Sequence, residues 1–169
     1  TSCTVSAWFW RYSDVYLKEF TIWGERDECS FPVYSIGVEQ RAGYLPSFRF
    51  KDFERSFAAP CGTGTLHEAI SPVIPSPAAW HHVAAVRDAT NPTNKSLRLY
   101  LDGALNNSGT DGTTESQANA QPLNIGRFGA SSTRNLTGEI DMVRITPRVL
   151  VPAEFLAKYT QFDADGDLI

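Results

Sequence analysis

Short segments in which apolar and polar residues alternate follow one another along most of the chain. Such alternation, rich in aromatic and β-branched residues and interrupted by turn residues, is typical of β-strands. The predicted strands are residues 4–11, 20–23, 34–38, 47–53, 80–87, 97–101, 123–128 and 139–146. One helix is predicted, over residues 152–159, because Pro152 suits its first turn. The pattern therefore predicts an all-β fold, a two-sheet antiparallel sandwich with one short C-terminal helix.

The segments between these strands are predicted to be loops. Residues 58–66 are rich in Gly, Ala, Pro and Thr, and residues 70–78 carry three prolines, which predicts a loop or an edge segment. Residues 106–121 are polar and lack periodicity, so we expect a long surface loop. At 169 residues the chain is predicted to be one domain, residues 1–160, followed by an acidic tail or linker, residues 161–169.

Four segments resemble a known family in their wording and order. They are Trp-His-His-Val-Ala-Ala-Val at 80–86, Ser-Leu-Arg-Leu-Tyr-Leu-Asp-Gly at 96–103, Leu-Asn-Ile-Gly at 123–126 and Gly-Glu-Ile-Asp-Met-Val-Arg-Ile at 138–145. The chain resembles laminin G-like jelly-roll domains of the concanavalin A-like superfamily from about Cys3 to Phe155. The resemblance implies a domain that binds a ligand and does not catalyse a reaction.

The resemblance also implies a first strand that this chain lacks. Domains of this family have some tens of residues before the strand that matches residues 4–11, and these supply a strand beside the one that matches 139–146. We therefore expect either a fragment of a larger protein or a sandwich closed by another route. An unpaired sheet edge there would favour a homodimer.

The charge balance excludes some partners. The formal net charge is −4, and no cluster of lysine and arginine is present. Nucleic acid and anionic membranes both demand concentrated positive charge, so neither is expected as a partner. No apolar run approaches the ~18–20 residues of a membrane span, which argues against membrane insertion.

Three cysteines, Cys3, Cys29 and Cys61, are too few and too scattered for a zinc site. If residues 4–11 and 19–26 form a hairpin, Cys3 and Cys29 lie at the same end of it, and two further strands return Cys61 to that end. A Cys29–Cys61 bridge is the favoured pairing, which would indicate an extracytoplasmic setting. Three reduced cysteines, with Cys3 buried as a small hydrophobe, are the alternative.

Aromatic residues around this predicted hairpin are the candidate ligand site. The faces of tryptophan and tyrosine suit sugar rings, and charged residues lie close to them in sequence. The candidate carbohydrate-binding residues are Trp10, Tyr12, Tyr16 and Trp23. Packing between the sheets is the alternative for these side chains, and burial is expected for Trp8 and Trp80, which match core positions of the family.

Two groups of carboxylates are candidates for calcium, which prefers hard oxygen ligands. Some relatives bind one calcium ion at the rim of the sandwich through Asp side chains, and Asp141 is the residue this suggests here. Asp163, Asp165 and Asp167 surround a glycine turn and resemble the core of thrombospondin type 3 and dockerin-like calcium repeats. For Asp141 the alternative is a hydrogen bond to backbone amides, and for the terminal carboxylates it is a frayed tail.

The sequence supports a catalytic function less well than it supports ligand binding. The stretch from Glu139 to Arg144 resembles the active-site strand of laminarinase-type glycoside hydrolases, but Arg144 replaces the second glutamate that a retaining mechanism needs. His81 and His82 point to opposite faces of a strand and cannot chelate one ion together. Local sequence suggests no Ser-His-Asp arrangement.

These observations predict a non-catalytic recognition module of a larger secreted or cell-surface protein. Carbohydrate is the favoured ligand, an extracellular protein partner is the alternative, and glycoside hydrolysis is the least favoured function. Calcium is the one cofactor considered, in a structural role.

Overall fold

A computed structural model describes residues 2–12, 20–26, 32–39, 47–55, 64–112, 123–126 and 136–156. These residues form strands and one short helix. The strands are β1 (Cys3–Arg11), β2 (Phe20–Arg26), β3 (Pro32–Glu39), β4 (Ser47–Arg55), β5 (Gly64–Ser71), β6 (Trp80–Asp88), β7 (Lys95–Leu101), β8 (Ala104–Asp111), β9 (Leu123–Ile125) and β10 (Gly138–Thr146), and the helix is α1 (Pro152–Phe155). No helix among the described residues is long and apolar enough to cross a membrane.

The strands form two five-stranded antiparallel sheets. The first sheet has the order β10-β1-β6-β7-β8, and the second has the order β5-β4-β3-β2-β9. The sheets meet at one side, where β5 of the second lies against β7 and β8 of the first. The predicted all-β antiparallel architecture with one short C-terminal helix is confirmed.

The main hydrophobic core lies on the face of the first sheet that is turned towards the second. It is formed by small and branched side chains at alternate positions of the strands. Its members are Val5, Ala7, Phe9, Val83, Ala85, Leu97 and Leu99 of the first sheet and Ala69 of β5. Phe9 and Val83 are fully buried, as the period of two along β1 and β6 requires. Trp8 and Trp10, at the intervening positions of β1, lie on the opposite face.

A second cluster covers part of the opposite, outer face of the first sheet. Leu150 and Phe155 pack there against Ala84, Val86 and Tyr100. Helix α1 is short, with Pro152 in its first turn, and Glu154 accepts a hydrogen bond from the Val151 amide. The helix ends three residues after Pro152, and residues 157–159 of the predicted helix lie outside the described part of the chain.

Two strands were predicted to be loops. β5 replaces parts of residues 58–66 and 70–78, and β8 occupies the start of residues 106–121. The side chains of β8 are exposed or half-buried except Asp111, so the strand shows no apolar alternation. β8 forms because the Asp102-Gly103 turn, with φ angles of 51° and 82°, reverses the chain after β7.

The hairpin expected between residues 4–11 and 19–26 does not form. β1 pairs with β10 and β6, whereas β2 pairs with β3 and β9 in the second sheet. Both edges of β1 are therefore taken by strands distant in sequence. The geometric reason for a Cys29–Cys61 bridge is lost with that hairpin, and both cysteines lie outside the described residues.

β10 contains one residue more than its ladder with β1 can pair. Trp8 pairs with Asp141 and Ser6 with Arg144, so Met142 and Val143 together stand opposite Ala7. Met142 has φ 50°, the left-handed conformation of a β-bulge. β10 is also the outermost strand of the first sheet in the described part of the chain.

Candidate functional site

A row of exposed aromatic and acidic side chains crosses the outer face of the first sheet. In the strand register Trp80 of β6 pairs with Trp10 of β1, and Trp10 pairs with Glu139 of β10. Residues paired directly across an antiparallel ladder share a face, so the three side chains stand side by side. Leu150 and α1 cover the other end of this face. We call the uncovered part, with Trp10, Trp80, Tyr12 and Glu139, the open half.

The two tryptophans of the open half contact each other edge to face. Their ring centroids are 6.0 Å apart, with 65° between the ring planes. Trp80 remains 41% exposed and Tyr12 57% exposed, whereas Trp10 is half-buried between its neighbours. Part of the apolar area of this pair is therefore left uncovered by the chain's own described elements.

A hydrogen bond ties Tyr12 to the acidic end of the row. The Tyr12 hydroxyl donates to Glu139 Oε1 at 2.5 Å. This bond, together with the negative charge of Glu139, raises the pKa of Tyr12 above its ordinary value. The Tyr12 amide donates to the Thr137 carbonyl at 3.0 Å, which fixes the backbone beneath the pair. The phenol and the carboxylate therefore present one joint polar edge beside Trp10.

The strand end below the row is held by a buried arginine. Arg11, the last residue of β1, is 9% exposed, and its Nε donates to the Pro75 carbonyl at 2.9 Å. The Ala78 amide in turn donates to the Arg11 carbonyl at 2.8 Å. Ala78 itself has φ 57°. These bonds lay the loop before β6 across the end of β1 and so position Trp80 beside Trp10.

His82 marks the border between the open and the covered halves. Its ring stacks on Phe155 of α1, with centroids 5.6 Å apart and planes 11° apart, and contacts Trp8 edge to face at 5.2 Å. His82 is 2% exposed, and burial lowers its pKa, while the charge of Asp102 opposes that shift. The neutral ring therefore packs as an aromatic residue and links the row to the helix.

The structure places the predicted sugar-binding residues unequally. Trp10 and Tyr12 come together in the open half, whereas Trp23 lies on β2 of the second sheet, paired with Ile36 and Ile125. Tyr16 lies outside the described residues.

Trp80 was assigned to the core from its family position, and this was wrong. It begins β6, outside the cluster that Leu150 and Phe155 form, and it is 41% exposed. Trp8, two residues before Trp10, is half-buried against His82.

The predicted calcium ligands are not gathered into one site within the described residues. Asp141 is exposed, and its Oδ1 accepts a hydrogen bond from the Met142 amide at 2.7 Å. No group of three or more His, Cys, Asp or Glu side chains with a metal-binding arrangement occurs in the described ranges. Asp163, Asp165 and Asp167 lie outside those ranges. Asp141 shares the outer face with Glu139, since it pairs with Trp8.

A Ser-His-Asp arrangement, not suggested by local sequence, forms at the turn end of β6. His81 Nδ1 lies 2.8 Å from Asp102 Oδ2, and His81 Nε2 lies 3.0 Å from Ser76 Oγ. Asp102 Oδ1 also accepts from the His82 amide at 2.8 Å. The order of hydrogen bonds is that of a nucleophile, a base and an orienting carboxylate.

Two features of this trio argue for a structural role. Ser76 is exposed, and Pro77 follows it, so the next residue offers no amide N–H to a developing oxyanion. Asp102 belongs to the β7–β8 turn, and its own amide donates to the His82 carbonyl at 2.8 Å. The His81–Asp102 pair thus fixes that turn against β6.

Comparisons with known proteins agree with this architecture. A laminin G-type family model, described as the concanavalin A-like lectin/glucanases superfamily, matches residues 1–155. Comparison with curated protein sequences gives no match.

Two solved structures are similar over 90% of the chain. The first is domain 4 of AbnA, an extracellular arabinanase of glycoside hydrolase family 43 from Geobacillus stearothermophilus, in complex with arabinotriose (TM-score 0.60, 18% identity). The second is a heptameric SAP-like pentraxin from Limulus polyphemus (TM-score 0.58, 10% identity). The chain spans 64% of the first and 67% of the second.

A third similar structure is the enzymatically active domain of tailspike protein 2 from bacteriophage CBA120. Its TM-score is 0.56 at 10% identity, and the match covers 88% of this chain but 22% of the tailspike chain. At these identities the three structures support the fold. The match of the family model over residues 1–155 goes further, and the chain belongs to the laminin G-like family of the concanavalin A-like lectin/glucanases superfamily.

Proposed function

We propose that this domain is a non-catalytic recognition module that binds carbohydrate on the open half of its first sheet. The observation that carries the proposal is the exposed edge-to-face pair of Trp10 and Trp80 beside the bonded pair of Tyr12 and Glu139. Aromatic faces cover the apolar face of a sugar ring, while the phenol and the carboxylate can bond its hydroxyls.

The extent of the site across the sheet favours a chain of sugars over a single small ligand. Trp80, Trp10 and Glu139 stand on three adjacent strands, and neighbouring strands lie about 4.8 Å apart. The row therefore extends about 10 Å across the sheet, which suits more than one ring of a glycan. Similarity in fold to an arabinanase domain crystallised with arabinotriose supports this ligand class.

The surroundings of the carboxylates favour binding over hydrolysis. A glycosidase acid is typically a carboxyl in an apolar pocket, whereas Glu139 and Asp141 are exposed. Arg144, at the place of the further glutamate, donates to the Glu154 carbonyl of α1 at 3.2 Å. We propose the same non-catalytic reading for Ser76, and we expect no labelling by a fluorophosphonate probe. Labelling that is lost in Ser76→Ala would overturn it.

We propose that the domain works outside the cell, as a secreted or surface protein. The family and the extracellular arabinanase among its structural neighbours support this setting. Calcium is proposed only as a structural ion, so sugar binding at the open half is expected to persist in a chelator.

A glycan and polysaccharide array, run with calcium and with chelator, tests the proposal. We expect binding in both conditions, and a loss of roughly tenfold or more in affinity for Trp80→Ala and Trp10→Ala, since such aromatic contacts contribute about 1–3 kcal/mol. Leu105→Ala is the matched control, because Leu105 is a 56% exposed side chain on β8 of the same sheet.

Each other outcome points elsewhere. Binding that is lost in chelator would move the site to a metal-binding rim and contradict the aromatic row. No binding to any glycan in either condition would overturn the carbohydrate reading and favour the protein-interaction or adhesion module. Circular dichroism of each variant separates loss of the site from loss of the fold.

A further inference from the structure

We propose that the open half selects cationic glycans, those with sugar amines, over neutral and acidic ones. The inference deepens the proposed carbohydrate function and rests on it. It comes from the charges that surround the tryptophan pair. A site for neutral carbohydrate would not need these charges.

The charged side chains described on the open half are carboxylates. Glu139 stands directly across from Trp10, and Asp141, two residues further along β10, stands across from Trp8. Both are exposed. β10 thus lines one side of the aromatic surface with two negative charges on the same face.

The described cations near the first sheet are engaged elsewhere. Arg11 is buried and bonded to the Pro75 carbonyl, Arg144 contacts the Glu154 carbonyl beneath α1, and Arg98 lies 2.6 Å from Asp88. His82 is buried, and His81 pairs with Asp102 at the turn. Arg87 of β6 is buried and pairs with Asp111 at 2.6 Å. No lysine or arginine of the described strands β1, β6 and β10 therefore stands on the open half to balance Glu139 and Asp141.

This combination suits an ammonium group attached to a sugar ring. A cation over the face of tryptophan gains about 0.5–1 kcal/mol at an exposed site, and an exposed ion pair adds about 0.2–1 kcal/mol. An N-acetylated sugar of the same shape can stack on the tryptophan rings, but it gains neither the cation–π interaction nor the ion pair. A uronic acid would meet like charge at Glu139 and Asp141.

Binding of matched oligosaccharides tests the inference on the whole domain. The probes are glucosamine, N-acetylglucosamine and N,N,N-trimethylglucosamine oligomers of equal length, the last carrying a charge independent of pH, and a galacturonic acid oligomer. We expect the cationic oligomers to bind about three- to thirtyfold more tightly than the N-acetyl oligomer at low salt. High salt should narrow the ratio, because exposed charges are screened.

Variants that each remove negative charge test which carboxylates cause the preference for cationic oligomers. Asp141→Asn should lower the ratio of cationic to neutral affinity, while binding of the neutral oligomer remains. Adding Glu139→Gln should bring that ratio close to one, with weaker binding of every oligomer, because the Glu139 carboxylate also contacts sugar hydroxyls. Asp88→Asn is the matched control. It removes one negative charge at the far end of β6, about 26 Å from Trp80 along the strand.

The outcomes separate this inference from the proposed function. Equal or tighter binding of the N-acetyl oligomer would overturn the cationic preference and leave the carbohydrate function standing. An equal effect of Asp88→Asn would also overturn it, because the preference would then come from net charge. Failure of every oligomer to bind would overturn both the cationic preference and the proposed carbohydrate function.

Discussion

His82 contacts both the aromatic side chains of the first sheet and the helix α1. Its ring is packed between Trp8 of β1 and Phe155 of the helix, and its Nδ1 has no hydrogen-bond partner among the described residues. An apolar aromatic environment tolerates the neutral imidazole and penalises the charged one. Protonation of this single side chain therefore opposes both contacts.

The pH dependence of stability follows from the lowered pKa of His82. The unfolded chain binds a proton near the ordinary value of 6.5, and the folded chain binds it only at lower pH. Folding is therefore unaffected above that value and is weakened as the pH falls through it. We expect the urea midpoint to decrease over this range, and to decrease less in His82→Phe. Equal slopes for the two proteins would contradict the role given to His82.

Met142 has a backbone conformation that is unfavourable for a residue with a side chain. At φ 50° a residue other than glycine carries a cost of about 1–2 kcal/mol, and Met142 is 51% exposed, so few contacts offset it. We expect Met142→Gly to raise the free energy of unfolding by about 0.5–1 kcal/mol, after the entropy that glycine loses.

Ile145→Gly is the control for Met142→Gly. Ile145 is 50% exposed on the same strand and does not have a positive φ. There the glycine should lower stability by about 0.5–1 kcal/mol. Equal losses for the two variants in urea unfolding would show that the left-handed conformation is not the source of strain.

At the level of the elements, the contact of β5 with β8 joins the two sheets at one side. A methyl group at Gly109 of β8 would overlap the Glu68 carbonyl oxygen on β5, so only glycine allows the two backbones this approach. The Asn107 side-chain amide also donates to the Ile70 carbonyl of β5. β8 thus packs against the other sheet through close backbone contact, whereas other strands pack through apolar side chains.

We expect Gly109→Ala to destabilise the protein by about 1–3 kcal/mol, because the backbones of β5 and β8 must separate. Ser108→Ala, at an exposed neighbour on the same strand, should change stability by less than about 0.5 kcal/mol. Urea unfolding of both variants makes the comparison. A mild effect at Gly109 would mean that the two strands can part without loss.

Sequence patterns predicted the strands that bury several apolar side chains and missed β8, which does not. β1, β6 and β7 bury apolar side chains in the two clusters, on both faces in the case of β6, and all three were predicted. β8 meets little of the core, so its Asn, Ser and Thr side chains read as a loop. Alternation gives the face of a strand but not its neighbour, which is why the pairing of β1 was wrong.

The candidate site was only partly predictable for the same reason. Trp10 and Tyr12 were named from their residue types, but Trp23 lies on β2 in the other sheet. Trp80 was assigned to the core, since nothing in its neighbourhood shows that α1 stops short of it. Glu139 joins the row through a ladder between residues far apart in sequence.

For the whole molecule, β10 is one of the outermost strands among the described residues, and it is the strand beside which the sequence predicted an unpaired edge and a homodimer. The bulge at Met142 breaks the row of backbone donors and acceptors that a second copy would need. We therefore expect the protein to sediment as a monomer.

Deletion of Met142 should convert β10 into a regular strand with a flat outer edge. We expect this variant to self-associate in sedimentation velocity, while Met142→Gly, which keeps the bulge, remains monomeric. Dimerisation of the unaltered protein would contradict a guarding role for the bulge and restore the predicted homodimer.

The bulge also has a consequence for how relatives of this chain are aligned. Glu139 and Asp141 before it, and Arg144 after it, occupy the outer face, while Ile140 and Val143 pack towards the core. Removing Met142 leaves every one of these orientations unchanged, since the remaining residues then alternate without interruption. A homologue with a straight last strand would be one residue shorter here. Its alignment would carry a single-residue gap between Asp141 and Val143 without any change in what either face displays.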